Sequence, residues 1–107
     1  MGTALEEDSI RKESLRVAVY NTTDMPTLGH RAERKVNKIG ALVVEVGNDT
    51  PVVDTCIVSG IKSVIESFTV RFMVDTYGCK TNVSEINKRA DIEMRIGRDF
   101  QRHFLSP

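Results

Sequence analysis

Arg31, Arg34, Lys35 and Lys38 lie close together in the chain. At about 100° per residue on a helix they share one stripe, beside an apolar stripe of Leu28, Ala32, Val36 and Ile39. Only Glu33 offsets the basic charges on that helix. A stripe of this kind suits a phosphate-rich polymer, although a plain solvated helix face is the commoner meaning of such charges. Just before it stands the run Asn21-Thr22-Thr23-Asp24-Met25-Pro26-Thr27. Free backbone N–H groups at a helix start attract anions, and Thr22, Thr23 and Thr27 add hydroxyl donors. The same residue types are the usual turn and capping set, with Thr27 as cap and Asn21 holding the turn. The candidate anion- or polymer-binding surface is therefore Thr22, Thr23, Thr27, Arg31, Arg34, Lys35 and Lys38.

Catalytic chemistry has little to work with. Asp91 and Glu93 lie two apart on an expected strand, hence on one face, and paired carboxylates can do acid–base work. Arg95 follows on the same face, and no histidine or nucleophile accompanies them. The simpler reading is a charged, open sheet face that also shows Tyr20, Ala18, Val43 and Ile57. Tyr20, Ile57, Glu93 and Arg95 form the alternative interaction surface. With one aromatic, that face lacks the stacking platform of an RNA-binding sheet. Lys plus Arg and Asp plus Glu are 15 each, which argues against a nucleic-acid partner. His30, His103, Cys56 and Cys79 show no zinc-ligand spacing, and no glycine-rich phosphate loop is present, so no metal and no cofactor is expected. Two readings of Cys56 and Cys79 stay open: two small core residues, or a disulfide between a strand and the helix that returns antiparallel to it.

The elements that must position these residues follow from periodicity. Residues 1–13 carry Glu6, Glu7, Asp8, Arg11, Lys12 and Glu13 and read as a flexible lead-in or linker, with a short amphipathic helix on Leu5, Ile10 and Leu15 as the second reading. Leu15, Val17 and Val19 alternate with polar or small residues, the period of a strand. A helix from Leu28 to Ile39 closes on Gly40. Ala41 to Val46 is a second strand, and Asp49-Thr50-Pro51 a turn. Thr55 to Ser59 is a short third strand. Ser63 and Glu66 have capping-box spacing, which starts a helix running to Tyr77, with Gly78 as its stop. Val64, Ile65, Phe68, Phe72 and Met73 would be its apolar face. Lys80 to Arg89 is polar and loop-like. Ala90 to Ile96 is the fourth strand, with Ile92, Met94 and Ile96 facing in, and Phe104-Leu105 would fold back onto the body. The order βαββαβ predicts an α+β domain over 14–105: a ferredoxin-like, four-stranded antiparallel sheet with two helices on one face and strands one and three central.

The strand Leu15–Asn21, the turn to Pro26, then Leu28 and a helix ending at Gly40 resemble the opening of the LytR C-terminal domain family, "V-x-N-G-T-x-x-P-G-L-A". Asp91-Ile-Glu-Met-Arg-Ile-Gly-Arg-Asp99-Phe100 resembles that family's closing "D-I-x-V-x-L-G-x-D-F". Thr22 and Thr27 stand where the family has glycines, and Gly29 where it has alanine. The resemblance covers about Leu15 to Phe100. It implies a bacterial, extracytoplasmic, cell-envelope accessory module without enzyme activity, of a kind found behind a membrane anchor or a LytR-CpsA-Psr catalytic domain. Its partner would be a cell-wall polymer or an envelope protein, with membrane contact only through an anchor outside this chain. Two alternatives of other classes are a homodimerisation domain using the open sheet face or an edge strand, and a small cytosolic regulatory domain.

Overall fold

The computed structural model describes residues 4–86 and 89–100. Its elements run α1 (Ala4–Glu13), β1 (Arg16–Asn21), α2 (Leu28–Ile39), β2 (Leu42–Asn48), β3 (Ile57–Gly60), α3 (Lys62–Ile65), α4 (Phe68–Tyr77), β4 (Lys80–Val83) and β5 (Ile92–Ile96). The proposed fold-back of Phe104-Leu105 and the residue His103 lie outside the described residues.

The strands form one five-stranded mixed sheet in the order β2-β1-β5-β3-β4. β1 is parallel to both β2 and β5, β3 is parallel to β4, and only β3 and β5 are antiparallel. This corrects the expected four-stranded antiparallel ferredoxin-like sheet. The first and third strands are both interior, as expected, but β5 separates them. The extra strand is β4, whose four side chains are all exposed. An edge strand with no buried face shows no alternation of apolar and polar residues, so Lys80–Val83 reads as loop. The other expected strands are present, with ends shifted by one or two residues.

Val17, Val19, Val58, Ile92, Met94 and Ile96 share one core cluster with Ile10 of α1, four residues of α2 (Leu28, Ala32, Val36, Ile39) and Val70, Met73 and Tyr77 of α4. The long helices therefore cover one sheet face. α2 matches its apolar stripe, and Gly40 closes it at φ 114°. A register shift between Val17 and Ala18 interrupts the β1–β2 ladder. This bulge turns Val43 toward the core and leaves Val44 and Glu45 beside Ala18 on the open face. Val43 is thus removed from that face.

Of the two readings of the lead-in, the structure has the helix rather than a flexible segment over Ala4–Glu13. Ile10 is buried, and Ser14 at φ 55° turns the chain into β1. Glu13 ends α1 and caps α4. Its carboxylate accepts from the Phe68 N–H at 2.7 Å, the Thr69 N–H at 2.8 Å and the Thr69 hydroxyl at 2.6 Å. Ser67 accepts from the Val70 N–H at 3.2 Å, so the first three donors of α4 are satisfied. The expected capping box on Ser63 and Glu66 is absent. The chain is extended at Ser67, with ψ 161°, which splits the expected helix into α3 and α4. Phe68, expected inside, is exposed beside Arg71.

Cys56 and Cys79 form a disulfide, with Cα atoms 4.5 Å apart. It joins the residue before β3 to the residue before β4, and the Lys80 N–H donates to the Cys56 carbonyl beside it. At the far end of β5, a Cβ on Gly97 would lie 2.8 Å from the Val53 carbonyl oxygen. That close approach lets the Asp99 carboxylate accept from the Cys56 N–H and lets Phe100 bury completely.

Candidate functional site

Asn21, at the end of β1, organises the turn into α2. Its amide donates to the Met25 carbonyl at 2.7 Å, and its side-chain oxygen accepts from the Thr23 N–H and hydroxyl. The Thr22 hydroxyl donates to the Ile96 carbonyl at 2.7 Å and accepts from the Val53 N–H at 3.1 Å. Thr22 is therefore buried and ties three segments together. The Thr23 hydroxyl also accepts from the Met25 N–H. Thr27 precedes α2 in helical conformation and makes no side-chain cap. Of the three predicted hydroxyl donors, two are engaged inside the fold, and Thr27 alone is exposed.

Asn21, Thr22 and Thr23, but not Thr27, floor an open hollow of about 500 Å³ at the C-terminal ends of β1 and β2. Its rim comprises Asp24, Asn48 and Thr50, with Asp49 and Val52 alongside. Asn48 lies opposite Asn21 in the parallel ladder. The Thr50–Pro51 peptide bond is cis, and Arg95 holds this loop through Asp49 at 2.6 Å and the Thr50 and Pro51 carbonyls. The contribution of residues 48–52 is not legible in the sequence, because it depends on a strand register that no local pattern specifies.

The basic stripe of α2 is present on its solvent side. Arg34, Lys35 and Lys38 are exposed and Arg31 is half-buried. Arg34 and Lys38 make no ion pair among the described residues. The stripe and the threonine turn are not one surface: the three basic residues farthest along α2 run away from the hollow, and none of the four lines it. Glu33, on the same helix, lies 3.3 Å from His30.

The open sheet face brings Tyr20, Arg95 and Ile57 into one row across β1, β5 and β3, with Glu93 in the next row beside Ala18 and Ser59. Long polar side chains cover it. Tyr20 donates to Glu45, Arg95 lies 4.0 Å from Glu93, and Arg16 pairs with Asp91 at 3.4 Å. A hollow of about 440 Å³ remains between Arg16, Val44, Glu45 and Arg89, over Ala18 and Ala90. Asp91 and Glu93, the paired carboxylates of the sequence, are each drawn to an arginine.

Among the described residues, no group of three or more histidine, cysteine or acidic side chains could hold a metal ion, and no helix is long and apolar enough to cross a membrane. Burial pushes the Tyr77 phenol up to about 12. That ring sits between Phe72 and Phe100 in the core, away from both hollows. No protein-family model matches the chain, and neither a curated protein nor a solved structure matches it.

Proposed function

We propose that this chain is a non-catalytic, extracytoplasmic cell-envelope module of the LytR C-terminal type that binds a wall polymer or a protein partner. The Cys56–Cys79 disulfide carries the compartment: bonds of this kind form and persist outside the reducing cytosol. The two family-like motifs add to the reading because both have structural jobs here. Asn21 builds the turn, and Gly97 with Asp99 clasps the start of β3. The basic side of α2 is the surface for an anionic polymer.

The test is a pulldown with isolated cell walls across a salt series. Exposed charges are screened within about 10 Å at 0.1 M ionic strength, so retention should fall as salt rises. Arg34→Glu with Lys38→Glu should weaken it too, since neither side chain packs in the core. Circular dichroism checks that the variant folds. Retention that ignores both salt and the double reversal discards the α2 surface and favours a protein partner at the sheet face. Thiol trapping in the native cells addresses location: two free thiols there would refute the extracytoplasmic reading.

A further inference from the structure

We infer that the hollow at the ends of β1 and β2 is a binding site for a neutral saccharide ring. It lies beyond the carboxyl ends of two parallel strands and beside the start of a helix, a concave place where backbone and short polar side chains converge. Its volume, about 500 Å³, falls within the range of small-molecule clefts.

The chemistry follows from which polar groups are already used. The floor is preorganised: Asn21 and Thr23 bond to each other and to the Met25 backbone, and Thr22 bonds to the Ile96 and Val53 backbone, so their geometry is fixed before any ligand arrives. The rim is different. Among the described residues no hydrogen bond or ion pair engages the side chains of Asp24, Asn48 or Thr50, and all three are exposed. An ionised carboxylate accepts only, a carboxamide both donates and accepts, and a hydroxyl does either. That mixture matches neighbouring hydroxyls on a sugar, which also do both. Val52, 43% exposed, supplies an apolar patch for the C–H side of a ring.

Charge excludes the obvious competitor. No lysine or arginine lines the hollow. Asp49 pairs with Arg95 at 2.6 Å, while among the described residues Asp24 pairs with no cation. A phosphate would meet repulsion here, although the run of threonines ahead of a helix suggests an anion site. A calcium ion would want six to eight oxygens, commonly with several carboxylates, and here one of the two carboxylates is taken by arginine.

This inference takes from the preceding reading only the choice of wall-type sugars as probes, and it concerns a different surface. The experiment is an amide-resolved NMR titration of the whole chain with chitotetraose, maltotetraose and mannotetraose. Inorganic phosphate and calcium chloride are the two controls. The expected result is saturable shifts at the amides of residues 22–24, 48–50 and 52 with at least one sugar, unchanged at about 0.5 M salt, where charge attractions are screened. Asp24→Ala and Asn48→Ala should each weaken that binding about tenfold, the loss of one good hydrogen bond, with the rest of the spectrum retained. The α2 double reversal should leave it unchanged. No shift with any of the three sugars overturns the inference. So does a response at these residues to phosphate or calcium alone, or sugar shifts confined to another surface.

Discussion

Glu13 stands at a junction of two helices. It closes α1 and takes three donors at the start of α4, whose own sequence supplies only the Ser67 cap. Glu13→Ala should therefore destabilise the domain by about 2 kcal/mol, the scale of hydrogen bonds to a charged group, read as a lower urea midpoint with unchanged slope. The sequence does not disclose this role, because Glu13 and Phe68 are 55 positions apart. The capping-box spacing at Ser63–Glu66 points to the wrong turn of chain for the same reason. Local spacing registers only local partners. Asn21 and Gly40 are legible because turn and stop are local requirements. Tyr77 adds a pH dependence. Its phenol ionises near 10.0 when unfolded and at about 12 in the fold, because burial disfavours the phenolate. The unfolded chain thus loses its proton first, so the contribution is whole below pH 10 and falls away as pH rises from 10 to 12. Urea midpoints measured across that window should drop for the parent chain and drop less for Tyr77→Phe.

At the scale of elements, the disulfide closes the segment that contains β3, α3 and α4, a separation of 23 residues. Loop-closure entropy assigns such a bridge about 3 kcal/mol. Reduction should lower the thermal midpoint measurably, and intact mass with and without reductant should show one bridge and no free thiol in the oxidised chain. The approach of the two cysteines is foreseeable from the strand and the returning helix, but the choice between bridge and core pair needs the spatial distance. The two sheet edges are built differently. β4 is short and carries Lys80 and two polar residues. β2 is longer, but it has the bulge and Glu45, and Asn37 accepts from its Val43 N–H at 3.0 Å. Both patterns are ways natural sheets discourage edge pairing. A periodicity reading detects β2 and misses β4, because a period needs a buried face to write it.

For the whole molecule, the sequence conveys the class, the helix-covered face and the inward residues of β1 and β5, since each follows from apolar period. It does not convey the strand order. Antiparallel closure is the simplest arrangement for four strands and two helices, whereas here β1 lies parallel to both its neighbours, β2 and β5, and the edge strand β4 adds a third parallel pairing. The candidate site divides in the same way. Thr22, Thr23 and the α2 basic residues are findable from residue type, but the rim of Asp24, Asn48 and Thr50 exists only because Asn21 and Asn48 end adjacent strands in register. Composition suggests an anion site there, and the assembled charges oppose one.

Among the described residues β5 is the last strand in sequence and the middle one in the sheet. Before it arrives, β1 with β2 and β3 with β4 are two ribbons with no strand between them. A chain emerging from a ribosome or a translocation pore therefore cannot close its sheet until residues 92–96 are free. The sheet therefore closes in one late event, when β5 enters between two ribbons, rather than strand by strand as the chain emerges.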